Sequence, residues 1–297
     1  ETGHLDLAVR RAIELGMEPI EAVRAATWVP ARRLRRYDLG AIAPGRIADI
    51  LVIEDLQAFQ VHLTIASGTI VAKGGTMISP LQSRCPPPPG ALKSVRLDPP
   101  LPDDFVISGT GRCAVAQVIA QRGRDIQRRE LPVRNGILAW QECSDLALAM
   151  VWHRHGLNGN RAAALIADTG LRYGAIATTY AHDSHNLVVI GRNPVDMAVA
   201  VQTLIASGGG YVAVRDARVL ALVALPIAGI LADRPVPELA RDFRSFARIT
   251  ADLGIDEDPI GLITSLALPV LPSYRLTDLG LVDVQRQTII PAFEFVD

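Results

Sequence analysis

An excess of charge of either sign is missing from this sequence: 30 Lys and Arg face 31 Asp and Glu over 297 residues. Such a balance gives no electrostatic reason to bind nucleic acid or an anionic membrane, and neither is expected as a partner. Cysteine is scarce. Cys85, Cys113 and Cys143 lie far apart and form no CxxC pair, which excludes a dense disulfide framework and favours a reducing, cytoplasmic setting. Long hydrophobic runs are lacking too. The longest, from Val219 to Ala232, is broken by Pro226, and spanning a bilayer takes about 18–20 apolar residues. No secretory signal is visible. An initiator Met is also absent, and Glu1 to Asp6 leads straight into a helical pattern. The expectation is an internal piece of a longer protein.

What is present is apolar material, 49% of the residues, enough for a sizeable core in one large or two medium domains. Leu5, Ala8, Val9, Ala12, Ile13 and Leu15 recur at helical spacing and Gly16 stops the run. A second helix fits Pro19 to about Ala26, limited by Pro30. Two short helices alone cannot build a core, so they are expected to need a partner beyond this chain. Residues 35–80 read as a small β module, with a strand from Ala48 to Ile53 and a hairpin around Ser67-Gly68. Four consecutive prolines, Pro86 to Pro89, forbid helix or ladder and predict an extended linker over 81–103.

From 104 to 297 strand and helix patterns interleave, which predicts layered sheet and helices. The expected strands are Cys113–Ile119, Leu146–Trp152, Gly174–Thr178, Asn186–Ile190, Tyr211–Arg215 and Val219–Leu222. The expected helices are Arg161–Ala167, Pro194–Ala206, Pro235–Leu253 and Pro259–Leu266. The helix at 235–253 carries a solvated charged face (Glu238, Arg241, Asp242, Arg244, Arg248) opposite Leu239, Phe243 and Phe246.

One segment concentrates chemistry. Ala181-His182-Asp183-Ser184-His185-Asn186 holds two His, one Asp, one Ser and one Asn between two apolar strands. Such groups are expensive to bury unless they find partners. From composition alone the segment reads either as a polar turn bonded to nearby backbone or as an active-site loop. His182 and His185 could sit on one face of a helical turn with Asp183 beside them. A catalytic metal, however, needs about three protein ligands, and no second cluster accompanies them. Val151-Trp152-His153-Arg154-His155 holds an H-x-H at the end of a strand, where residues two apart share a face.

The ordered motifs resemble those of the adenine deaminases of the amidohydrolase superfamily. Gly40-Ala41-Ile42-Ala43-Pro44-Gly45-Arg46-Ile47-Ala48-Asp49 is similar to the superfamily signature where the chain leaves its metal-bearing barrel. Gly3-His4-Leu5-Asp6 and the two helices after it resemble the last helices of that barrel. Arg154-His155-Gly156, Gly174 to Thr179, Ala181 to Leu187, Gly208-Gly209-Gly210, Leu225 to Gly229, Ser265 to Val270 and Leu276 to Val282 resemble the C-terminal domain in order.

The resemblance implies an α/β (α+β) chain: the end of a TIM barrel at 1–34, a small β-sandwich module at 35–80, and a mixed α/β domain at 104–297. It implies hydrolytic deamination of adenine to hypoxanthine and ammonia in the parent protein. It implies a binuclear divalent metal site, manganese or iron, held by barrel strands absent here. No metal is expected on this chain, and the fragment alone is expected to be inactive. His182, Asp183 and His185 are implied as the catalytic loop. Ser184, Asn186 and His4 are implied as substrate contacts. The family pattern at 152–156 is closer to E-R-H-G, so His153 departs from it, and His155 reads as structural or loop-facing. Asp49 and Gly45 read as structural, and Asp278 as a turn or cap residue. Exposed apolar helix faces at 5–29 predict self-association, and a homo-oligomer is expected. The alternatives are a ligand-binding or assembly module without catalysis, and another amidohydrolase acting on a related purine or cyclic amide.

Overall fold

The computed structural model describes residues 4–78, 86–120 and 123–297. Cys85 and the Leu81–Arg84 start of the expected linker lie outside them. The chain divides into two compact units, Glu1–Pro86 and Pro87–Asp297.

The first unit opens with α1 (Leu5–Glu14), α2 (Pro19–Ala26) and α3 (Trp28–Arg33). The helical spacing of Val9 and Ile13 places them on one face, which meets Ala22 and Phe59 in a small core. Pro30 does not end the helical region. It sits in the first turn of α3, where its missing N–H needs no partner. A meander follows: β1 (Ile50–Asp55), β2 (Gln60–Ala66), β3 (Thr69–Lys73) and β4 (Thr76–Met77), all antiparallel. Ser67 and Gly68 both take positive φ, 49° and 80°, as a two-residue type I′ hairpin requires. Among the described residues this module is one sheet layer. Asp49 is structural, its carboxylate accepting from the Ser67 N–H at 2.8 Å.

The second unit is a ten-stranded, almost wholly antiparallel sheet covered on both faces. Its strands are β5 (Cys113–Ala120), β6 (Asp125–Arg134), β7 (Ile137–Leu138), β8 (Leu146–Trp152), β9 (Arg161–Ala167), β10 (Ala175–Thr178), β11 (Leu187–Gly191), β12 (Gly210–Arg215) and β13 (Arg218–Ala224), with a tenth from the C-terminal region. A separate three-stranded sheet comprises β14 (Tyr274–Thr277), β15 (Gly280–Asp283) and β16 (Thr288–Ile290). The tenth strand of the large sheet is β17 (Phe293–Val296). The main order is β13-β12-β10-β11-β8-β9-β5-β6-β7, and β17 pairs with the first half of β5. The second half of β5 meets β9 in the sheet's parallel contact.

Alternation along each strand assigns the two faces. Leu148, Met150, Val189 and Val212 point to one side, where α4 (Pro194–Ser207) supplies Met197, Val201 and Leu204. Ala147, Ala149, Val188, Ile190 and Ala213 point to the other. There they meet Phe246 of α5 (Val236–Asp252), Leu262 and Ile263 of α6 (Pro259–Leu266), and Leu276 and Leu281 of the small sheet.

Two expectations are corrected. Arg161–Ala167 is not a helix but β9, paired with β8 over seven positions. Its alanines favour helix intrinsically. The Asn158-Gly159 turn sends the segment straight back along β8, and burial in the sheet centre overrides propensity. The proline run is not extended throughout: Pro89 opens a 3₁₀ helix, Pro89–Lys93, a position that needs no N–H.

Candidate functional site

Strand register gathers the sequence motifs at one rim of the large sheet. The end of β10 lies beside the start of β11, Thr178 opposite Val188. The start of β11 lies beside the end of β8, Leu187 opposite Trp152. On the other flank Thr178 opposes Tyr211, and Gly210 opposes Ala224. The 181–186 loop, the His153–Gly156 turn, the 208–210 glycines and the 225–229 segment therefore share one end of the fold.

The loop is held mainly by backbone. The His185 N–H donates to the Ala181 carbonyl at 2.6 Å. His185 has φ +49°, an uncommon conformation for a residue with a side chain. Its carbonyl accepts from Nε of Arg154. The Ser184 carbonyl lies 3.1 Å from Nε2 of His155. Asn186 is buried, and its Nδ2 donates to the Asp278 carboxylate at 3.0 Å. That acceptor fixes the amide orientation, so the Asn186 carbonyl oxygen faces the other way, buried without a hydrogen-bond partner among the described residues. Asp183 and Ser184 are exposed.

The rings form a cluster. His182 and His185 have centroids 5.6 Å apart, and each lies within 5.4 Å of the Tyr180 ring, His182 at 5.0 Å. His153 and His155 pair edge-on at 5.2 Å. Burial, the neighbouring His182 and the charge of Arg154 hold the His185 imidazole below its ordinary pKa, against the opposing pull of Asp183. His155 is also held low, by burial first and by Arg154 and His153 after the opposing Ser184 contact. Neutral imidazoles can accept a proton or a hydrogen bond near neutral pH. Nδ1 of His185 and Nδ1 of His153 are buried with no hydrogen-bond partner among the described residues.

A second anchor lies beneath the loop. Thr179, fully buried, donates from Oγ1 to the Gly229 carbonyl at 2.6 Å and accepts from the Gly210 N–H at 2.8 Å. A Cβ at Gly209 would stand 2.5 Å from Cα of Gly229 and 2.6 Å from Oγ1 of Thr179, so this close approach of two segments requires glycine.

Residues 124–288, more than half of the chain, match the sequence profile of the adenine deaminase C-terminal domain. The chain belongs to the adenine deaminase C-terminal domain family. Residues 3–71 match the amidohydrolase family. An adenine deaminase of Moorella thermoacetica is 42% identical over 291 residues, covering 95% of this chain and 49% of that protein. Adenine deaminase 2 of Shouchella clausii is 36% identical, covering 98% of this chain and 52% of its own length. An adenine deaminase of Gluconobacter oxydans is 37% identical, covering 97% and 51%. The chain spans about half the length of these curated relatives.

Within this adenine deaminase C-terminal domain, His182, Asp183, Ser184, His185 and Asn186 stand together as one loop. His4 belongs to the first unit, exposed at the start of α1, with its N–H donating to Asp6 at 3.3 Å. Asp278 is more than a turn residue, since it accepts from Asn186 across 92 positions of sequence. His155 faces the loop through Ser184. In the sequence Arg154 is only one letter of a motif, yet it is 2% exposed and touches three segments. Among the described residues no group of three or more His, Cys, Asp or Glu is arranged to hold a metal ion. The amidohydrolase match implies a divalent metal in the parent protein, and the donor set at this rim does not fit one. No described helix is long and apolar enough to cross a membrane.

Proposed function

We propose that this chain works as part of an adenine deaminase, a protein that hydrolyses adenine to hypoxanthine and ammonia. The 181–186 loop helps to enclose the purine or to move its protons. The observation that carries the reading is the rim itself, where the order of family motifs becomes one cluster of rings and backbone clamps. His185 acts as a proton acceptor, because burial first, and then His182 and Arg154, hold its imidazole below its ordinary pKa. Asp183 supplies an exposed carboxylate, and Ser184 and Asn186 supply polar contacts to substrate. The divalent metal of the parent, a manganese or iron pair, is held by residues other than these. The loop's share is hydrogen bonding, proton handling and enclosure. A cytoplasmic setting in purine metabolism and a homo-oligomeric state belong to the same reading, the latter supported by exposed Leu15, Ile20 and Val29 on the opening helices.

The test is a fusion of this chain to the part of the Moorella thermoacetica relative that it does not cover. The fusion is expected to deaminate adenine, and the 297-residue chain alone is not. His185→Ala or Asp183→Asn in the fusion should lower turnover by about 10²-fold or more with little change in melting temperature. Wild-type turnover in a folded His185→Ala fusion would remove the loop from the active site. A clear deaminase rate from the chain alone would remove the need for the remainder. A well-folded fusion without deaminase activity would favour a binding or assembly module.

A further inference from the structure

We infer that Arg154 is a positioning residue for the 181–186 loop, a guanidinium clamp that fixes the place of His185 and keeps a positive charge beside it. This rests on the reading of that loop as an active-site contributor. Arg154 follows β8 by two positions and is 2% exposed. Its Nε donates to the His185 carbonyl. One terminal nitrogen donates to the Ser94 carbonyl at 3.1 Å and lies 2.8 Å from the Ser94 hydroxyl. The other donates to the Ala228 carbonyl at 2.8 Å. Three segments, around 94, 185 and 228, thus converge on one planar cation.

A buried ion is unfavourable unless its donors are used, and here uncharged oxygens use them. Among the described residues no carboxylate bonds it, and burial pushes the guanidinium down to about 10. A neutral amide could tie two loops together without that desolvation. The charge is what a neutral cross-link would lack, and its near neighbours are the titrating rings of His185 and His155. The surroundings are shaped to Arg: a Cβ on Gly229 would lie 2.9 Å from three guanidinium atoms. The groups facing His185 are His182 and Asp183 from its own loop, the Tyr180 ring before it, and Arg154 and His155 from the turn after β8.

The experiment is a nuclear magnetic resonance titration of the His185 ring, with hydrogen exchange at the His185 amide, in the intact 297-residue chain. In Arg154→Met the His185 midpoint should move up, because a positive neighbour is gone and the ring is less buried. Its amide should exchange about tenfold or more faster. Arg154→Lys should bring the midpoint back toward wild type through its charge. It should leave the amide fast, because an ammonium cannot match the planar fork. Gly229→Ala, which crowds the guanidinium without removing its charge, should speed amide exchange in the same way. A midpoint and amide rate unchanged in folded Arg154→Met would overturn the proposal. If Arg154→Met does not fold, unchanged His185 signals in both folded Arg154→Lys and folded Gly229→Ala would do so. A cross-link of purely structural effect would speed the amide equally in Met and Lys variants and leave Lys no closer to the wild-type midpoint, which also overturns it. None of these readouts uses turnover, so they fail separately from the His185→Ala fusion.

Discussion

Thr179→Val removes one hydroxyl and leaves the shape of the side chain nearly intact. The hydroxyl serves two backbone groups, donating to Gly229 at 2.6 Å and accepting from Gly210 at 2.8 Å. Thr179, Gly210 and Gly229 are all buried, so water cannot replace it. Each stranded buried group costs about 1–3 kcal/mol, and the added methyl returns about 0.8 kcal/mol. The net loss is roughly 3 kcal/mol. Urea unfolding reads it in a Trp28→Phe background, where the remaining tryptophans, Trp140 and Trp152, both lie in the second unit. With a slope of about 2 kcal/mol per molar urea, the midpoint falls by roughly 1.5 M. Thr179→Ser keeps the hydroxyl and should lose less than half as much. A Val variant within about 1 kcal/mol of wild type, or a Ser variant as weak as Val, refutes the reasoning.

Gly210→Ala places a Cβ 2.0 Å from the Val223 carbonyl oxygen at φ +139°. It should lower unfolding free energy by about 2 kcal/mol or more, and a wild-type melting temperature would contradict this. Asn186→Asp sets a carboxylate against Asp278, which Asn186 now meets at 3.0 Å. The expected loss is about 2–4 kcal/mol at pH 7, smaller at pH 4 and relieved in the Asn186→Asp, Asp278→Asn double variant; urea titrations at both pH values decide. His155 and His185 are both held below their ordinary value of 6.5. The unfolded chain then binds more protons below about 6.5, so their contribution is full above that pH and declines as pH falls through it. Unfolding curves from pH 7.5 to 5.5 should show a shallower decline in the His155→Gln, His185→Gln variant, and an equal decline would sink the assignment.

Much of the layered architecture could be read from the residues. Leu146 to Trp152 is apolar at every position because both faces of β8 are covered, and Pro194 and Gly208 bracket α4 as helix punctuation should. The strand state of the Ala162–Ala164 run is not legible in sequence, because it is set by pairing with β8 rather than by its own preference. β6 is hidden in the sequence for a related reason. Asp125, Arg128, Arg129 and Glu130 give it a polar pattern, and its partner β5 supplies the order. At the rim, the composition of 181–186 identified the loop without placing it. Sequence shows that Arg154 is charged but not that it is buried, and nothing local links Asn186 to Asp278.

The pairing of β17 with β5 has a consequence for synthesis on the ribosome. Residues 113–116 of β5 lie against 293–296, so this part of the central sheet cannot close until some 180 further residues have been translated. At about 5–20 residues per second, β5 waits on the order of ten seconds or more with that edge unpaired. An exposed strand edge is a template for other chains. Slowing translation past β13, or deleting 293–296, is therefore expected to raise aggregation of the nascent chain out of proportion to the few contacts that β17 makes in the finished fold.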